Sequence, residues 1–301
     1  MDRRNFARAS VALAGGWPIA RALGYADPAQ KIGGQAHAER WRAIEASVGR
    51  RLGVAVLDTA TGELAGHRLD ERFPMCSTFK FLAAALVLAR VDAGQERLDR
   101  RVVVTREALL KWAPVTSRHV GGAGMTVAEL CEAAITVSDN TAANLLLASA
   151  GGPAGVTAFA RRIGDTETRL DRTEPTLNEA IPGDPRDTST PRAMARTLRT
   201  VLLGDALSDA GRAQIVRWMS ANQTGAHRLR AGVPRDWRVA DKTGTGDLGS
   251  TNDIGVLWPP GRAPLAVVAY LTDCKASDDA REAALASVAR SVAGGLALRA
   301  A

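Results

Sequence analysis

The hydrophobic period of this chain changes twice, and that change limits the fold more than any other feature. Residues 52–57 form a short apolar run, 58–62 (Asp-Thr-Ala-Thr-Gly) read as a turn, and the pattern returns over 64–69, which predicts a β-hairpin. The spacing then becomes helical. Residues 77–91 are apolar nearly all round, as a buried helix would be. Helices are also expected over 126–136, 141–149, 153–163 (with Pro153 near its first turn), 190–203 and 208–219. Near residue 237 the period switches back. Residues 237–241, 254–258 and 265–271 read as strands separated by Gly and Pro turns. A helix at 35–49 and an Ala-rich one at about 279–298 complete the series. Strands at both ends with helices between them imply one sheet built from both chain ends, an α+β fold with a helical domain inserted. The expected division is 27–70 with 225–301 as the α/β domain and 71–224 as the helical domain. Residues 164–190 lack periodicity and carry Pro175, Pro182 and Pro185, so they form a long loop of the kind that is functional or disordered.

The chain has 301 residues, 46% apolar and 24% charged, a soluble globular balance. Its net charge of +7 suggests an anionic partner, but no run of five like charges occurs. Aromatic residues make up 4%, too few to stack on bases, so nucleic acid is excluded as a partner. The basic residues divide into 34 Arg and 5 Lys. A surviving Lys therefore deserves inspection, because Lys can lose its proton in a protein site and Arg effectively cannot. Residues 1–26 read as a cleavable export signal: Arg3, Arg4 and Arg8 precede an uncharged stretch over 9–20, and small residues follow. Arg3-Arg4-Asn5-Phe6 is similar to a twin-arginine signal. Twelve residues cannot span a bilayer that needs about twenty. Cleavage would remove four Arg and one Asp, so the +7 falls by three to +4. The mature protein is expected to be periplasmic or secreted, free of membrane and monomeric.

Two lysines stand in patterned surroundings. Ser77 and Lys80 are three apart, so on a helix they share a face. A serine hydroxyl becomes a nucleophile when an adjacent base takes its proton, and a buried lysine can act as that base. Ser77 would also sit at the helix N-terminus, where the dipole favours developing negative charge. Lys242-Thr243-Gly244-Thr245 follows a strand signal and offers one cation and two hydroxyls to a carboxylate, with Gly244 allowing close approach. Ser138-Asp139-Asn140 falls between two helices, where it also reads as a helix N-cap.

In this order and spacing, SxxK, SDN and KTG form the motif set of class A β-lactamases and penicillin-binding proteins, and the chain resembles that superfamily from the first hairpin to the last strand. Glu174-Pro175-Thr176-Leu177-Asn178 is similar to the class A Ω-loop, expected here at about 169–187, which separates β-lactamases from the peptidases. The resemblance implies an αβα sandwich with an antiparallel, five-stranded sheet. It implies Ser77 as the acylated nucleophile, with Lys80 and Glu174 both candidate bases for acylation. Glu174 with Asn178 would activate the deacylating water, and Ser138 would protonate the lactam nitrogen. Asn140 would bind the substrate's side-chain amide, and Lys242, Thr243 and Thr245 its carboxylate. The Ser77 and Thr245 N–H groups would form the oxyanion hole. Trp112 matches an aromatic wall of the cleft. Arg172 and Asp187 stand where the family closes the neck of the loop with a salt bridge, and the peptide after the catalytic Glu is expected to be cis. The substrate would be a β-lactam, and no metal or cofactor is expected.

Two departures from the family pattern are visible. Thr251 stands where many members have a carboxylate-binding Arg, and Arg228 fits an alternative source of that guanidinium. Cys76 precedes the nucleophile, but the position of its usual partner is Gly246, and Cys131 would face Ala84. All three cysteines, Cys76, Cys131 and Cys274, are therefore expected to be free.

Overall fold

The computed structural model describes residues 35–297, so the expected export signal at 1–26 lies outside the described residues. Helix α1 (Gln35–Val48) leads into strands β1 (Arg51–Asp58), β2 (Leu64–His67) and the short β3 (Phe73–Pro74). A 3-10 turn, Cys76–Thr78, runs into α2 (Phe79–Asp92). Short β4 (Arg101–Val102) and β5 (Met125–Thr126) pair with each other. Helices α3 (Val127–Thr136), α4 (Asn140–Ser149) and α5 (Gly152–Arg162) follow. Beyond the long loop come β6 (Thr188–Ser189), α6 (Pro191–Leu202) and α7 (Asp209–Ser220). Strands β7 (Arg238–Thr245), β8 (Thr251–Trp258) and β9 (Leu265–Thr272), then α8 (Asp278–Ala297), complete the described residues.

The sheet has five antiparallel strands in the order β2-β1-β9-β8-β7, so both chain ends build it, as the strand-helix-strand pattern requires. Both faces are covered. Ala55, Leu57, Ile254, Val256, Val268 and Tyr270 pack against α2–α7, while Val54, Val56, Leu257, Val267 and Leu271 pack against α1 and α8. Successive side chains alternate between the two clusters, as pleating demands. With apolar neighbours on both sides, the central strands β1 and β9 read as nearly continuous apolar runs even though they are antiparallel.

The helices fall within a residue or two of expectation. So do β1, β2 and β9, but β7 extends four residues beyond the run at 237–241, and β8 begins at Thr251 instead of residue 254. Lys242-Thr243-Gly244-Thr245 is thus part of an edge strand, not the segment after it. Its polar residues concealed the strand because its C-terminal half lines a cleft. Helix ends follow local chemistry. Asp139 caps α4 by accepting the Ala142 N–H, Thr126 and Glu129 form a capping box on α3, and Thr190 caps α6. Each such cap stabilises by about 1 kcal/mol. Among the described residues no helix is long and apolar enough to cross a membrane.

Candidate active site

The chain reverses sharply just before α2. Cys76 takes a left-handed backbone (φ 46°), which costs a non-glycine residue about 1–2 kcal/mol, and Ser77 follows it into the 3-10 turn. Gly246 faces this corner. A Cβ there would lie 2.6 Å from Cys76 Sγ and 2.7 Å from the Asn178 carbonyl, so the strand end fits against the turn only with glycine. Cys76, Cys131 and Cys274 are all buried and unpaired. Burial pushes the Cys76 and Cys131 thiols well above their ordinary range, which leaves them unreactive.

One turn into α2, Lys80 is fully buried and reaches five acceptors. Its Nζ lies 3.0 Å from Ser77 Oγ, 3.0 Å from Glu174 Oε1, 2.6 Å from Asn140 Oδ1, 2.8 Å from the Ser138 carbonyl and 3.2 Å from Ser138 Oγ. Burial lowers the Lys80 pKa below the usual lysine range, and the facing Glu174 carboxylate opposes part of that shift. Lys242 is also fully buried. Desolvation, together with repulsion from Lys80, holds its pKa well below normal. Ser138 stands between the two lysines with a left-handed backbone (φ 59°), and its Oγ is 3.2 Å from each ammonium. Asp139, next in the chain, accepts from the Val115 and Thr116 N–H groups and from the Thr116 hydroxyl while capping α4. Within Ser138-Asp139-Asn140, therefore, the middle residue fixes the backbone and the outer two face Lys80.

Glu174 arrives from the loop. Its Oε1 accepts from Ser77 Oγ at 3.3 Å, and its Oε2 accepts from Asn178 Nδ2 at 2.5 Å. The Glu174–Pro175 peptide is cis, as expected. The neck of the loop is closed by Asp187. Its carboxylate receives Arg172 Nε at 2.6 Å and the N–H groups of Asp171 and Arg172. The sequence did not reveal Asn144, on α4, whose amide clasps the Glu174 main chain: Nδ2 donates to the carbonyl at 2.9 Å and Oδ1 accepts the N–H at 3.0 Å.

The third wall of the cleft is β7. Thr243 Oγ1 meets Thr224 Oγ1 at 2.5 Å. Buried Arg228 donates to Thr245 Oγ1, to the Gly244 carbonyl and to the Asn252 carbonyl, each at 2.9 Å, and pairs with Glu282 at 3.1 Å. The structure therefore places Arg228 at the KTG strand end. A second guanidinium, unforeseen from the sequence, lies nearby: Arg281 Nε donates to Thr251 Oγ1 at 3.0 Å. Trp112 is more than half exposed. Its indole N–H is held by the Val137 carbonyl, and its own carbonyl accepts from Asn140 N, so it stands beside the Ser138–Asn140 corner. A cavity of about 870 Å³ between α6 and the 163–167 turn contains none of these side chains. The chemistry, not the size of a cavity, locates this site.

A hydroxyl held by a buried lysine and a carboxylate, with a second hydroxyl between two lysine side chains, is equipped for acyl transfer through a serine ester. Comparison with known proteins agrees. Residues 36–295 match the profile of the beta-lactamase enzyme family. The chain is 52% identical over 257 residues to beta-lactamase CTX-M-8 of Citrobacter amalonaticus, covering 85% of this chain and 88% of that one. It is 51% identical to beta-lactamase Toho-1 of Escherichia coli over the same length and the same shares of each chain. A solved class A beta-lactamase representing the last common ancestor of Gram-negative bacteria superimposes with a TM-score of 0.85 at 65% identity, over 86% of this chain and 98% of that one. Motifs, fold and relatives converge: this chain belongs to the β-lactamase family, as a class A serine hydrolase of β-lactams.

Proposed function

We propose that the residues gathered at this corner divide the reaction as follows. Ser77 Oγ attacks the lactam carbonyl, and the Lys80–Glu174 pair takes its proton. The observation that carries this reading is that one hydroxyl lies within 3.3 Å of both an amine and a carboxylate that are themselves 3.0 Å apart. The Ser77 and Thr245 N–H groups receive the oxyanion. Ser138 passes a proton to the departing nitrogen, and Lys242 stabilises the charge on that hydroxyl. Lys242, Thr243 and Thr245 bind the substrate carboxylate, with Arg228 fixing Thr245 from behind and Gly244 keeping the strand edge open. Asn140 binds the side-chain amide, and Trp112 covers the cleft. Glu174 and Asn178 then hold and activate the water that releases the product. The 169–187 segment is the Ω-loop that brings them, within a helical domain at 71–224 set into an α/β domain at 27–70 and 225–301. The enzyme acts as a monomer in the periplasm or outside the cell, after loss of residues 1–26.

Steady-state hydrolysis of a chromogenic cephalosporin tests the assignment. Ser77→Ala should lose roughly 10⁴-fold or more of kcat, since removal of a nucleophile disables its partners as well. Glu174→Ala should acylate and then stall, so that mass spectrometry after penicillin finds a persistent adduct. Turnover by Ser77→Ala, or no adduct on folded Glu174→Ala, would refute it.

A further inference from the structure

Two segments form the proposed oxyanion hole: the turn bearing Ser77 and the end of β7 bearing Thr245. They belong to different parts of the chain, so something must fix the gap between them. Asn252, fully buried on β8, touches both sides. Its Nδ2 donates to the Pro74 carbonyl at 2.9 Å and to the Met75 carbonyl at 3.0 Å, the two residues that lead into the left-handed Cys76. Its main-chain register partner is Gly244, one residue before Thr245. Its own carbonyl receives Arg228 Nη1, whose Nη2 holds Thr245 Oγ1.

Gly244 and Asn252 face the turn side by side. A Cβ on Gly244 would lie 2.7 Å from the same Met75 carbonyl and 3.2 Å from Thr78 N. One strand thus comes close to the turn by lacking a side chain, and its neighbour draws the turn in with two N–H groups. Asn252 Oδ1, by contrast, has no partner among the described residues.

We infer that Asn252 is a positioning residue that sets the width of the oxyanion hole by tethering the Pro74–Met75 carbonyls to the KTG strand pair. This rests on the reading of Ser77 as nucleophile. Losing one oxyanion donor costs about 10²–10³-fold in rate, so a hole widened but not emptied should cost roughly 10–100-fold in kcat/KM.

The test uses Asn252→Leu, similar in size but without donors, and Asn252→Ala, with Tyr270→Phe as a control on the register partner of Asn252 across β8 and β9. Each is made in the full enzyme and also in the Glu174→Ala background, where the acyl-enzyme persists. Infrared difference spectra then read the ester carbonyl directly. With Asn252 replaced, its stretch should move to higher wavenumber as the hole loosens, and kcat/KM should fall, while Tyr270→Phe matches the parent in both. A folded Asn252 variant with wild-type turnover or an unmoved carbonyl overturns the inference. So does Tyr270→Phe producing the same shift, and so does failure of both Asn252 variants to fold, since the residue would then serve the fold alone. If Ser77→Ala retains turnover, the reading of the site itself has failed, and that outcome is separate from these.

Discussion

A lysine removed from water and set among five acceptors has three protons to give, so its contacts compete. The competition keeps the Lys80 proton transferable: burial disfavours the ammonium and Glu174 favours it. Arginine could not take this role, which is why the scarcity of lysine pointed to the site. Ser77 and Lys80 were legible because the helix alone brings residues three apart together. Asn144 was not, since an asparagine bonding to a main chain 30 residues away leaves no mark in its own neighbourhood. Asn252 and Arg281 were hidden for the same reason. The consequence for Asn144 is direct. Asn144→Ala leaves the Glu174 N–H and carbonyl without those partners, at a cost of about 1–3 kcal/mol. In the proposed reaction Lys80 shares the proton transfer of acylation while Glu174 holds the deacylating water, so pre-steady-state measurements should show a 10- to 100-fold slower release step with acylation less affected. Equal slowing of both steps would mean that Asn144 does not act through Glu174.

Among the elements, the loop at 169–187 depends most on a few contacts. Much of it is exposed, and its main chain is tied down by the Asp187 carboxylate and by the Asp187 carbonyl, which accepts from Met75 N at 2.9 Å. Asp187 therefore joins the loop to the nucleophile turn, in addition to the Ser77–Glu174 contact. Asp187→Ala strands the part-buried Arg172 and two N–H groups, and breaking a buried pair from one side costs roughly 3–5 kcal/mol. Calorimetry should record a lower Tm, and burst kinetics should show deacylation falling more than acylation. An unchanged Tm would mean that Glu179, the other partner of Arg172, suffices. At this scale the sequence was informative about the helices and the apolar strands, and poor about β7, the start of β8 and the short β3 and β6. Capping residues and the 3.6 period mark a helix from within. Strand ends are set by partners elsewhere: β3 pairs with β6 more than a hundred residues on, and β7 runs through polar residues held by β8.

At the scale of the described residues, one face of the sheet is closed by the first and last helices. Helices α1 and α8 cover one face of the sheet together, joined by the Trp41 indole donating to Ser291 Oγ at 3.0 Å. Both helices were legible as helices, but their shared face was not, because a periodicity does not say which partner it meets. The helix α1 is fastened to the sheet edge by Glu45. Its carboxylate accepts the Leu52 N–H at 2.8 Å, Arg68 Nε at 2.6 Å and Arg68 Nη2 at 3.1 Å, and it meets His67 Nε2 at 3.0 Å; Glu71 holds the other side of Arg68. Burial alone would raise the Glu45 pKa, but these donors outweigh it and hold the group at about 2 against an ordinary 4.5. A carboxylate with a depressed folded pKa lends its stability above the unfolded value and loses it as pH falls toward the folded one. Fastening of α1 should therefore weaken between pH of about 4.5 and about 2. After allowance for its partial exposure, the contribution is about 1–3 kcal/mol. Glu45→Gln should be less stable than the parent by that amount at pH 7 in urea unfolding, and the two should converge near pH 2. A gap that persists undiminished at pH 2 would show that Glu45 contributes by packing instead of by charge, and that the closure of this face does not depend on pH through Glu45.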